Sequence, residues 1–150
     1  MGKQVQPGEM NAVTDYSALI DGAGINVCKL LLDDELTILW ANDNFYISSG
    51  FGKDEYQTLF HHIKAYYTGH GDEFAKIKNA FYDVLQKGER RVKVGCRRPL
   101  KDNTCAWINI DGIITGEIVD SKPVALAVYS DISDLTRLKA ERDQLLEEKT

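Results

Sequence analysis

After Gly88 the chain presents three strand-like runs in succession with nothing but turns between them, and no other feature restricts its fold as much. The runs cover residues 89–98, 104 to about 115, and 124–130. They are separated by a turn at Lys101-Asp102-Asn103 and a looser one at Asp120-Ser121-Lys122-Pro123. Parallel neighbours need a crossover of roughly a dozen residues or more, and neither gap has room for one. The three strands therefore run antiparallel in succession. Ahead of them stands one long amphipathic segment, residues 72–87. It has Phe74, Ile77, Phe81, Val84 and Leu85 on one face, Asp72 and Glu73 at its start, and Gly88 as its stop.

The first half of the chain supplies a second group of strands. Residues 25–32 and 36–41 read as a hairpin turned at Asp33-Asp34-Glu35. Asn42-Asp43 caps a helix running to about Ser49, and Gly50-Phe51-Gly52 breaks it. A helical turn comes next at 53–56, then a mixed aromatic helix over about 59–67 that stops at Gly69-His70-Gly71. Residues 1–14, with Pro7 and Gly8 and no periodicity, read as a leader, and 16–21 as a short helix. Two strands, several short helices, one long helix and three strands make an α+β chain, not an alternating parallel sheet. The domain is expected over 15–131.

Composition closes off other classes. At 43% hydrophobic and 27% charged, a 150-residue chain is neither disordered nor membrane-embedded. It has no apolar run of roughly 18 residues. A net charge of −5 argues against a nucleic-acid partner. The one basic stretch (Arg90, Arg91, Lys93, Arg97, Arg98, Lys101) partly alternates with Val92, Val94 and Cys96, and reads as the solvated face of a strand. Cys28, Cys96 and Cys105 are odd in number and lack a C-x-x-C pair, so no disulfide or metal framework is implied. They are expected as small buried hydrophobes in a reducing, cytoplasmic setting. No nucleophile elbow, phosphate loop or H-E-x-x-H motif appears, and the carboxylates cluster in turns and on helix surfaces, so no catalytic residue is assigned.

The last strand-like run, 124–129, is apolar or small throughout, as a strand buried on both faces would be. It passes through Asp131-Ile132-Ser133 into a charged segment with Leu135, Leu138 and Leu145 on a 3-4-3 spacing, the start of a helical linker over 132–150. With Leu135 at heptad position a, Leu138 and Leu145 fall at d, while Arg142 and Lys149 at a weaken the seam. Asp131 and Ser133 are both candidate caps for this helix. A strand that abuts a helix without a linker makes a mechanical junction between them.

This order of elements and its local motifs resemble a PAS domain over about residues 15–135. The stretch LLLDDELTILWANDNFYISSGFGKDEY, from the hairpin into the short helices, is similar to the opening of that family, with Asn42 at its characteristic asparagine and Phe45 nearby. Gly50-Phe51 with Glu55 matches the next turn. The HGDEF stretch from His70 to Phe74 resembles the family's entry to the long helix, although Gly71 stands where a proline is usual. KDNTCAWINIDG looks like its strand pair, with Trp107, and Asp131-Ile132-Ser133 like its exit.

The resemblance implies a five-stranded antiparallel sheet with helices over one face and a pocket between them, leading into an exit helix. It also implies a sensory and dimerising module, upstream of an effector such as a histidine kinase or diguanylate cyclase in the same chain. Partners would be a small ligand and a second copy through the terminal helices, with no membrane contact from this segment. The alternative is a ligand-free module that only holds an output domain together. The helix at 59–67 has no cysteine for a flavin adduct, and 72–87 has no histidine for haem. Covalent flavin and haem are therefore not expected, whereas non-covalent flavin or a small carboxylate stays open. His61 and His62, adjacent and so about 100° apart on a helix, do not share a metal. Pocket candidates are Phe74, Ile77, Phe81 and Trp107. Trp107 is read chiefly as core against the long helix, and Asp131 with Ser133 form the relay junction.

Overall fold

The computed structural model describes residues 22–148. The leader, the helix expected at 16–21, and the last two residues lie outside the described part. One antiparallel sheet holds five strands: β1 (Asn26–Leu31), β2 (Thr37–Ala41), β3 (Arg91–Pro99), β4 (Cys105–Val119) and β5 (Lys122–Asp131). Their order is β2-β1-β5-β4-β3. Between β2 and β3 come α1 (Asp43–Ile47), α2 (Lys53–Leu59), α3 (Ile63–Tyr66) and α4 (Gly71–Gln86). The exit helix α5 (Ser133–Glu148) comes after β5. This is the α+β architecture expected from the order of elements. The last strand lies at the centre of the sheet, paired with β1 on one side and β4 on the other, but it is not buried on both faces as expected. Ala125, Ala127 and Tyr129 are enclosed under the helices, whereas Leu126 on the opposite face is 36% exposed, because no layer covers that side of the sheet there.

The helices cover one face. Phe74, Ile77, Phe81 and Val84 of α4 are buried there, with Cys28 and Leu30 from β1, Val92 and Cys96 from β3, Ile108 and Ile110 from β4, and Ala125, Ala127 and Tyr129 from β5. Gly112 of β4 lets the two layers meet, since a Cβ at that position would lie 3.0 Å from the Phe81 ring. Asn42 ties the helices to the sheet. Its Oδ1 accepts from the Val27 N–H at 2.8 Å and the Phe45 N–H at 3.3 Å, and its Nδ2 donates to the Ile25 carbonyl at 2.7 Å. One buried amide thus caps α1 and pins β1 at once.

Several elements differ from expectation for local reasons. Leu36 does not open β2. It takes a left-handed backbone (φ 55°), fully buried, while Asp33 accepts from the Thr37 N–H and hydroxyl and closes the turn. The helix expected over 59–67 is divided between α2 and α3. Residues 60–62 are extended, because the His61 carbonyl accepts from the Ile38 N–H at 3.1 Å at the sheet edge and His62 Nδ1 caps α3 through the Ala65 N–H. The β4–β5 connection is tighter than anticipated. Val119 pairs with Lys122 across Asp120 and Ser121, both at positive φ, as a two-residue type I′ hairpin requires.

Candidate functional site

The interior between the sheet and the short helices is an aromatic box. Phe45, Tyr56 and Tyr66 pack with Tyr129 and Phe60 at centroid separations near 5 Å, largely edge to face. Into this box β3 inserts Arg98, a member of the basic stretch expected to be solvated. It is only 3% exposed. Its guanidinium lies 4.8 Å from the Phe45 ring centre, 5.4 Å from that of Tyr129 and 5.6 Å from that of Tyr66. It donates to Ser48 Oγ at 2.7 Å and to the Phe45 carbonyl at 2.9 Å. Ring faces and neutral oxygens, not a carboxylate, surround the buried cation.

Burial also sets the titration of the thiols and phenols around it. Burial pushes the Cys28 thiol up to about 12 and the Cys96 thiol up to about 11, and lifts the Tyr56, Tyr67 and Tyr129 phenols well above their ordinary value. The positive charge of Arg98 opposes each shift without overcoming it. The Tyr67 and Tyr129 hydroxyls are buried with no hydrogen-bond partner of normal geometry. Each neighbours a thiol, Cys96 and Cys28 respectively, and sulfur is a weak acceptor. The space between the sheet and the short helices is thus filled by the chain's own side chains.

The four aromatic and aliphatic candidates separate. Ile77 and Phe81 are fully buried core residues. Phe74, at the start of α4, lines a cleft of about 480 Å³ under the α3–α4 turn together with His62 and Tyr67. Trp107 is a correction: it is 40% exposed, on the sheet face away from α4, with the Arg97 guanidinium 5.7 Å from its ring centre. Cys105 is likewise exposed on β4, not buried. The reason is parity. Ala106, Ile108 and Ile110 hold the core-facing positions of β4, so Trp107 between them must face outward.

Trp107 nevertheless reaches the junction, through its backbone. Its N–H donates to Ser133 Oγ at 2.9 Å, and its carbonyl accepts from the Ile132 N–H at 2.8 Å. Asp131 Oδ1 accepts from the Ser133 N–H at 2.8 Å. The carboxylate therefore serves the first turn of α5, while the Ser133 hydroxyl is taken by β4 and does not cap. Sheet and exit helix are joined by three hydrogen bonds across residues 131–133, with no free linker between them. Leu135, Leu138 and Leu145 of α5 are exposed.

A second, open cleft of about 560 Å³ lies at the sheet edge between β2 and α2. Among the described residues no group of three or more His, Cys, Asp or Glu side chains could hold a metal ion, and no helix is long and apolar enough to cross a membrane.

No family model and no curated protein matches the chain. Solved structures do. A sensory box histidine kinase/response regulator from Burkholderia thailandensis is similar at 17% identity, with TM-score 0.63, over 88% of this chain and 98% of that one. The PAS domain of an HTR-like protein from Haloarcula marismortui is similar at 15% identity, TM-score 0.58, over 82% and 99%. An RNA-binding light-oxygen-voltage receptor aligns with 99% of this chain but only 41% of its own, at 13% identity and TM-score 0.65. The chain has the PAS fold.

Proposed function

We propose that the chain is a non-catalytic sensory module of a signal-transduction protein. It passes a change in its sheet through α5 to an effector in the same chain, such as a histidine kinase or diguanylate cyclase. The observation that carries this is the junction: β5 ends at Asp131, α5 begins at Ser133, and hydrogen bonds from residues 131–133 to β4 and within the turn leave no slack between them. A shift of β4 relative to β5 must then turn or tilt the helix. The exposed leucines of α5 supply the seam through which two copies pair, in the cytoplasm. The mechanism is a population shift between two sheet–helix arrangements, biased by a ligand or partner.

A second reading, a ligand-free dimerisation module, draws on the filled interior: Arg98 and its aromatic box already occupy the space a ligand would take.

The two readings separate in chimeras that continue α5 into the core of a histidine kinase, with one to seven residues inserted at the fusion point. A rigid relay makes kinase activity rise and fall with helical phase, about once per seven residues. Asp131→Ala should flatten that dependence while lowering domain stability by only about 0.5–2 kcal/mol in denaturant melts. Activity indifferent to phase in the parent series would refute the relay and leave α5 as a tether.

A further inference from the structure

We infer that the edge cleft between β2 and α2 is a binding site for a planar aromatic carboxylate. This goes beyond the relay, and rests on the sensory reading only in naming the cleft as the place where a signal enters. At about 560 Å³, the cleft is of the size that holds small-molecule ligands. It exists because β2 is an edge strand with a bulge. Ile38 pairs with Leu30 and Trp40 with Lys29, leaving Leu39 as an extra residue. Bulges at sheet edges re-aim side chains, and here Leu39 and Trp40 are left open, Trp40 to 45%.

The lining selects for shape and for charge. Trp40 and Phe60 line the wall, Trp40 45% exposed, together with Tyr46, whose phenol is held by the Gln57 amide at 3.4 Å. An exposed indole face in a cleft is a stacking platform for a flat ring. Among the described lining residues the only formal charge is Lys53; His61 also lines the cleft, and no described carboxylate does. In a chain with 23 acidic and 18 basic residues, a concavity with no acid among its described lining residues stands out. A carboxylate there meets the Lys53 cation, and the acid nearest to it is Asp43, which does not line the cleft. Lys53 does approach Asp43 at 3.4 Å, but both side chains are more than half exposed, and such pairs are weak. The ammonium keeps donors free for a second acceptor.

The test is a titration of the 15N-labelled 150-residue chain with 2-naphthoate, monitored by amide chemical shifts, with 2-naphthamide as the neutral isostere. Saturable shifts should map to residues 37–41 and 53–61, and naphthoate should bind roughly threefold tighter than the amide. Lys53→Gln should erase that preference, and Trp40→Ala should weaken both probes about fivefold. Three results would overturn the proposal: no saturable shift up to about 10 mM, equal affinity for the two probes, or shifts centred on Arg98 and Tyr129 instead. The outcome is independent of the chimera series. Binding without phase dependence counts against the relay alone, and phase dependence without binding counts against the cleft alone.

Discussion

The two faces of the central sheet are built from the same strands and behave in opposite ways. On the helix-covered face, alternate residues of β3, β4 and β5 (Cys96, Ile108, Ile110, Ala127, Tyr129) are buried, and even an arginine is enclosed. On the other face, the residues between them (Arg97, Trp107, Ile113, Leu126) stay partly open, and some line a shallow cleft of about 410 Å³. A tryptophan outside and an arginine inside reverse the usual preference of those residue types. Position in the pleat decides burial here, and residue type only decides what the burial costs.

The sharpest way to break this comparison is to empty the covered face. Phe81→Ala removes a fully buried ring that rests on Gly112, and should cost about 3–5 kcal/mol in denaturant melts. A loss below about 1 kcal/mol would mean that the two layers are not packed as described.

Arg98 probes the same face by charge instead of volume. Arg98→Ala leaves a void in the aromatic box and takes the donors from Ser48 Oγ and the Phe45 carbonyl, for a cost of about 2–4 kcal/mol. Arg98→Met keeps most of the volume and removes the desolvated charge, so the change should stay within about 1–2 kcal/mol of the parent. If Met proves as damaging as Ala, the cation–ring and hydrogen-bond contacts, not the filling, hold the interior together.

The third probe adds an atom where the layers touch. Gly112→Ala forces a Cβ to 3.0 Å from the Phe81 ring and should cost about 1–3 kcal/mol. Combining it with Phe81→Leu should recover part of that loss, because the clash and the ring that causes it go together. Additive losses in the double variant would show that the two residues do not meet.

What the sequence makes legible divides along the same line. The long helix α4 is legible because its apolar spacing is long and regular. The antiparallel order of β3, β4 and β5 is legible because the gaps are too short for anything else. Arg98 and Trp107 depart from expectation because residue type points one way and parity the other. Val92, Val94, Cys96 and Arg98 share one parity, and Ala106, Ile108 and Ile110 exclude Trp107 from theirs. Counting by twos from the apolar residues places both. The edge cleft is not legible at all, since it depends on a bulge at Leu39 and on the extended segment 60–62, both set by tertiary pairing. The junction motif is visible as a tripeptide, but the division of labour between Asp131 and Ser133 is not, because the Ser133 partner is a backbone amide 26 residues away.

The smallest expected effect is the most telling, because it falls on the residue type that usually gives the largest. Trp107→Ala should cost only about 1 kcal/mol, a fraction of the Phe81→Ala loss. The ring is 40% exposed, touches no part of α4's buried face, and gains from Arg97 a cation–ring contact at 5.7 Å of the modest kind found at open sites. What remains is the strand preference of an aromatic over alanine, itself a fraction of a kilocalorie to about 1 kcal/mol. The two hydrogen bonds that tie β4 to α5 come from the Trp107 backbone, so the substitution leaves them in place, and exchange protection at the Ile132 amide should be unchanged. A loss of about 3 kcal/mol or more would return Trp107 to the core and erase the distinction between the faces. A small loss with weakened protection at Ile132 would instead show that the indole, not the main chain alone, braces the exit of the helix.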